Sequence, residues 1–142
     1  MASKKLAPPR RLVKTQWEAF LNTLAAHVLG LRKIKNSRVE VFLLDERGMR
    51  QLAKLYLNKD KSHVDVLAFP QPKGFPQPEG PGRLLGEVYL NWEVYRHDRE
   101  RLKFLLVHGV LHLLGYKHER RADIARMEGL ERRLCRALPK LK

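Results

Sequence analysis

The chain has 142 residues, one cysteine, and about half as many acidic side chains as basic ones. Each shortage excludes something. The single Cys135 cannot close an internal disulfide, and its place in a helical pattern makes it a small apolar packing residue. No stretch reaches the ~18 consecutive apolar residues that a membrane-spanning helix needs. The first residues, Met1-Ala2-Ser3-Lys4-Lys5-Leu6-Ala7-Pro8-Pro9, are basic and lack the apolar segment of a secretory signal. These absences together predict a cytoplasmic protein without a membrane partner. No internal repeat is present, which sets aside solenoid and propeller architectures.

The acid shortage says most about partners. There are 29 Lys and Arg against 15 Asp and Glu, a formal net charge of +14. Such a surplus on a small chain predicts a polyanionic partner, RNA first. An acidic membrane surface fits less well, because no amphipathic helix sets exposed aromatics beside the charge. Hydrophobic residues make up 44% of the chain. That is ordinary for a globular protein and enough for the core of one domain spanning residues 1–142.

Residues 1–13 read as a loose basic arm, since Pro8-Pro9 discourages helix. Trp17, Phe20, Leu21, Leu24, Ala25, Val28 and Leu31 recur at helical spacing over residues 15–31. Val39, Val41 and Leu43 alternate with Arg38, Glu40 and Phe42 as in a strand. Asp45 is placed to cap a helix over 46–57, whose apolar residues include Met49, Leu52, Ala53, Leu55 and Tyr56. Strands are predicted over 63–69 and 84–91, with an irregular Pro- and Gly-rich loop between them. A further short strand near residues 10–14 is compatible with the pattern. Asp98 is placed to cap a helix over 99–114 that is apolar nearly all round from Phe104 onward, hence buried. A last helix, 120–137, carries a basic outer face with Arg120, Arg121, Arg126, Arg132, Arg133 and Arg136. This order of strands and helices gives an α/β (α+β) layer with three clear strands.

What the chain does have is His108-Gly109-Val110-Leu111-His112-Leu113-Leu114-Gly115-Tyr116-Lys117-His118. Four residues of helix are ~400° of rotation and ~6 Å of rise, so His108 and His112 point the same way. Gly115 tolerates the left-handed conformation that ends a helix, and the chain can then return His118 over the same face. Three neutral imidazoles leave one position of a tetrahedral site open for water, the pattern of a catalytic metal centre. Zinc-protease helices share this spacing but place glutamate directly after the first histidine, as general base. Here that position is Gly109, which disfavours a protease. His27, His63 and His97 lack ligand spacing and read as bystanders; Tyr116 reads as a packing residue.

At these residues the chain resembles the YbeY family, whose signature is H-G-x-L-H-L-x-G-Y-D-H. Two further segments fit in order. Lys59-Asp60-Lys61 with Val64-Asp65-Val66-Leu67-Ala68-Phe69-Pro70 is similar to the family's KDKPTDVLSFP, and Leu85-Gly86-Glu87-Val88 to its L-G-D-I strand. The resemblance covers residues 38–135. It implies a single small mixed sheet flanked by helices, with the metal site at one end, and a single-strand-type endoribonuclease of ribosomal RNA maturation and ribosome quality control, with the ribosome and its RNA as partners. It also implies one divalent metal ion, Zn²⁺ first, held by His108, His112 and His118. There are departures. Lys117 stands where the family has aspartate, and Glu87 replaces another. Ser62, His63 and Val64 replace a proline-threonine pair with one residue extra. The family's RNA-handling arginine falls at about Leu57.

The metal is expected to act as a Lewis acid on a phosphoryl oxygen. Lys59 and Lys61 are candidates to hold phosphates. Asp65 and Glu87 are candidates to orient a ligand imidazole or a water. No side chain is assigned as the acid or base of the reaction. Two rival readings stand beside this one: a metal-dependent hydrolase acting on another substrate, and a non-catalytic RNA- or ribosome-binding factor with a structural metal.

Overall fold

The computed structural model describes residues 14–58 and 63–140. Along these the chain forms α1 (Lys14–Leu31), β1 (Ser37–Leu44), α2 (Glu46–Leu57), β2 (Val66–Pro70), β3 (Arg83–Asn91), α3 (Trp92–Tyr95), α4 (Arg99–Leu113) and α5 (Arg121–Ala137). The strands order β1-β3-β2. β3 runs parallel to β1, with Val41 opposite Val88, and antiparallel to β2, with Ala68 opposite Val88. The fold is therefore the α+β layer that the order of elements predicts, built on the small mixed sheet that the resemblance implies.

Side chains alternate across a strand, so each strand serves two faces. One face presents Val39, Val41 and Leu43 of β1 with Val88 and Leu90 of β3. Against it pack Trp17, Leu21 and Leu24 of α1 and Leu106 and Val110 of α4, with Met127, Leu130 and Leu134 of α5 joining the same cluster. Each fully buried leucine here is worth about 1.5–3 kcal/mol of transfer free energy. The opposite face is thinner. Met49 and Ala53 of α2 meet Val64 and Leu67, with half-buried Leu44, Leu52, Phe69 and Tyr89 around them.

Both predicted caps form. The Asp45 carboxylate accepts from the Gly48 backbone N–H at 2.7 Å, and that of Asp98 from Arg101 N–H at 3.1 Å. Several expectations are corrected. Leu29, 2% exposed, takes the buried place assigned to Leu31, which is 38% exposed. Leu29 and Leu31 are ~200° apart around a helix, so the two cannot share its buried face. Leu55 and Tyr56 of α2 are 74% and 66% exposed, because the thin face buries little beyond Met49 and Ala53. β2 begins at Val66, and His63 to Asp65 lead into it. The expected basic arm of residues 1–13 lies outside the described residues. So does most of the admitted strand near residues 10–14, and Lys14 is already helical. Among the described residues no helix is long and apolar enough to cross a membrane.

Candidate metal centre

α4 is buried on nearly every side, and its C-terminal turns carry two imidazoles to the floor of a cleft. His108 Nε2 and His112 Nε2 stand 3.2 Å apart. After Leu113 the helix tightens, with Gly115 N–H bonding His112 O at 3.0 Å and Tyr116 N–H bonding Leu111 O at 3.1 Å. Gly115 has φ +97°, a conformation open chiefly to glycine. That turn lays the His118 ring against His108, centroids 4.6 Å apart and planes 17° from parallel, and also 4.6 Å from His112. One nitrogen from each of the three lies within 4.8 Å of the others. A tetrahedral ion with metal–nitrogen bonds near 2.0–2.1 Å needs ligand atoms about 3.3 Å apart. The 3.2 Å pair meets that already, and small side-chain rotations bring in the third. The cluster fits one divalent metal ion.

Two residues fix this geometry from behind. Glu131, on α5 and 3% exposed, accepts from His108 Nδ1 at 2.5 Å. Its carboxylate holds the ring in the tautomer that leaves Nε2 free as a ligand. Gly109 lets α4 lie directly on the sheet: a Cβ there would meet Val88 Cγ1 at 2.8 Å and Cγ2 at 3.2 Å. A glutamate at position 109 has no room, so the protease base is excluded by packing as well as by identity. Burial, and then the neighbouring imidazoles, push His108 and His112 each down to about 4. Both are neutral at pH 7, as ligands must be. Burial pushes Glu131 up from the ordinary carboxylate range, and the Cys135 thiol up as well.

The histidines open onto a cleft of about 780 Å³. Its other wall comes from Leu57, His63, Asp65 and Ala68. Asp65 does reach the cleft, and it is held by a local network. Its Oδ1 accepts from the Tyr95 hydroxyl at 2.7 Å and pairs with His63 Nε2, while Oδ2 lies 3.8 Å from an Arg101 guanidinium nitrogen. His63 Nδ1 lies 2.7 Å from Glu46 Oε1. The pair with Glu46 dominates in holding the His63 pKa above its ordinary value. Arg101 stacks its guanidinium 5.1 Å from the Phe104 ring, and that ring lies 6.2 Å from His108, so the network and the cluster share one face of α4.

Glu87 is placed elsewhere. It alternates with Val88, which faces Gly109, so it projects from the opposite face, where the Tyr89 hydroxyl donates to it at 3.3 Å. It does not line the cleft. Lys59 and Lys61 lie outside the described residues. Tyr116 packs partly against the core, as read, and its hydroxyl also accepts from Arg32 at 2.8 Å.

Glu131 has no role in the sequence-based expectations, and His63, expected there to be a bystander, instead pairs with Glu46 and Asp65. Glu131 had a signal: it stands in the stripe Met127, Leu130, Leu134, and a carboxylate in an apolar stripe needs a buried partner. His63 had none, because Glu46 and Tyr95 are brought to it only by the fold.

A family model described as endoribonuclease YbeY matches residues 9–139. Proteins named endoribonuclease YbeY are similar over most of the chain. The one from Roseiflexus sp. is 40% identical over 112 residues, 70% of this chain and 69% of that protein. The one from Anaeromyxobacter sp. is 38% identical over 125 residues, 82% of this chain and 62% of that protein. The one from Bartonella henselae is 33% identical over 131 residues, 85% and 79%. The chain thus spans between about three fifths and four fifths of these relatives' length. A solution structure of a Thermotoga maritima protein aligns with TM-score 0.48 and 22% identity over 81% of this chain and 76% of that one.

Proposed function

The chain belongs to the endoribonuclease YbeY family, and on that premise we propose that it is a metal-dependent endoribonuclease. Its substrate is single-stranded ribosomal RNA, cut in the cytoplasm during maturation and quality control of the ribosome. The observation that carries the reading is the three-histidine cluster at the floor of a cleft in a chain of net charge +14. His108, His112 and His118 would hold the ion, Zn²⁺ by the all-imidazole donor set. When bound, such an ion supplies Lewis-acid polarisation of a phosphoryl oxygen. Every other role falls to side chains. Glu131 holds the Nδ1 proton of His108 and so fixes its ring. Asp65 is held by Tyr95 and Arg101 on the facing wall, where it is positioned to orient water in the cleft. Lys59 and Lys61 would hold phosphates, and surplus cations draw RNA toward the cleft.

The test is single-turnover cleavage of a single-stranded ribosomal RNA fragment, with casein as the control substrate and elemental analysis in parallel. Near one metal ion per chain is expected, with RNA cut and casein intact. A chelator should stop cleavage while leaving RNA binding, and His112→Ala should remove most of the metal. Absence of metal from wild type that also cannot be loaded, or RNA cleavage unaffected by chelation, would refute the reading.

A further inference from the structure

Beside the cleft lies a second one of about 280 Å³, lined by Leu114, Gly115, Tyr116, Lys117, Asp123 and Arg126. Three of these, Gly115, Tyr116 and Lys117, line both clefts. The two clefts therefore meet at the turn that carries His118 into the cluster. Tyr116 lines both, and its hydroxyl accepts from the Arg32 guanidinium at 2.8 Å.

The charge of this passage is unbalanced. Lys117 and Arg126 each lie more than 4.0 Å from any carboxylate oxygen among the described residues, as does Arg32. Asp123 lines the second cleft and offsets one charge without pairing. Lys117 stands directly before a candidate metal ligand, at a position where the resembling signature has aspartate. Cations gathered next to a divalent-ion site repel one another, and that cost is recovered only when an anion sits among them.

We propose that Lys117 and Arg126 form a subsite for the backbone phosphate of the nucleotide next to the one cut, with the Tyr116 wall guiding the strand from the histidine cleft into the second. The proposal rests on the endoribonuclease reading above and adds to it the path of the RNA. Two cations along an aromatic wall are the ordinary means of tracking a single strand. Because lysine and arginine would contact phosphate rather than base edges, the subsite should be indifferent to sequence.

The experiment uses the zinc-loaded full chain and a fluorescein-labelled 12-nucleotide single-stranded RNA, with anisotropy read from 50 to 200 mM salt. Each phosphate contact to a single strand contributes about 0.7 to the slope of log affinity against log salt. Lys117→Ala and Arg126→Ala should each flatten the slope by about that amount, so that the loss of affinity over this range shrinks by about 2.6-fold. Lys117→Arg should restore it. Arg96→Ala, an equal loss of charge at the C-terminal end of α3, should leave it unchanged. Zinc content and thermal melts should match wild type throughout. If wild type cuts the RNA while both alanine variants keep the wild-type slope, the subsite is wrong and the endoribonuclease reading stands. If wild type neither binds nor cuts the RNA, that reading fails and the subsite falls with it.

Discussion

The two walls of the cleft are built in opposite ways. The wall that carries His108 and His112 is one face of a buried helix, seated on Val88 through Gly109 and anchored by Glu131 from behind. The facing wall is open: the His63 and Asp65 side chains are 39% and 29% exposed, and α2 beside them leaves Leu55, Tyr56 and Leu57 in solvent. Burial keeps the first wall's histidines neutral and fixed, which suits ligands. Paired charges keep the second wall polar and adjustable, which suits contact with water and phosphate. Rigidity is placed where geometry must be held within tenths of an ångström, and exposure where an RNA strand must enter.

The sharpest break of this contrast is to disturb the seat of α4. Gly109→Glu puts a carboxylate against Val88 with no partner in reach. Overpacking combined with an uncompensated buried charge should cost about 3–5 kcal/mol. Urea denaturation should show the midpoint falling or the folded baseline disappearing. A wild-type midpoint would mean that α4 can lift from the sheet and that the first wall is not rigid.

Second in size is Glu131→Ala, which leaves the His108 ring without its Nδ1 partner. Losing such a support typically lowers metal affinity 10–100-fold. Competition with a zinc chelator would measure it, and Glu131→Gln, which keeps an acceptor oxygen, should lose less. If the alanine variant binds zinc as tightly as wild type, the anchoring role is mistaken.

The same contrast explains what the sequence made legible. Elements along α4 could be read because their spacing is local. Asp98 caps it, His108 and His112 follow at four residues, Gly115 ends it, and each step depends only on near neighbours in the chain. The first strand followed from the alternation of Val39, Val41 and Leu43. The facing wall was not legible, because its contacts join α2, the lead into β2, α3 and α4, and no local pattern announces Glu46 beside His63. Glu87 shows the converse failure. Its neighbours in sequence suggested the site, but strand alternation sends its side chain to the other face.

A third prediction sharpens the open wall. Leu57 is 43% exposed and lines the cleft, so Leu57→Arg adds a cation there without disturbing the core. A charge-assisted hydrogen bond of about 1.5–3 kcal/mol, discounted for solvent exposure to about 1 kcal/mol, corresponds to roughly a fivefold rise in single-turnover cleavage. Metal content should not change. Cleavage equal to wild type would show that this part of the wall does not meet phosphate. Lys59→Ala with Lys61→Ala should move the rate the other way, lowering cleavage more than metal occupancy.

The smallest expected effect is a slope against pH, and its sign separates the walls. His63 faces Glu46 from α2, its near neighbour Asp65, Tyr95 from α3 and, through Asp65, Arg101 from α4. The Glu46 contact leads in raising its folded pKa above 6.5. A raised pKa means that the folded state binds the proton more tightly than the unfolded one. The stability it gives is therefore complete below pH 6.5 and is lost as pH rises through the folded value. On the other wall the half-buried His108 and His112 are lowered to about 4, so the metal-free fold instead loses stability as pH falls from 6.5 toward 4. Subtracting the stability of His63→Gln from that of wild type removes the common contribution of the buried pair. The difference should favour wild type at pH 5.5 and shrink toward pH 8.5. With so exposed a ring the effect is screened by salt, so the measurement belongs at low ionic strength. A difference that is flat or grows with pH would mean that His63 is not held as an imidazolium between Glu46 and Asp65, and the open wall would lose the charge pairing that distinguishes it from the buried one.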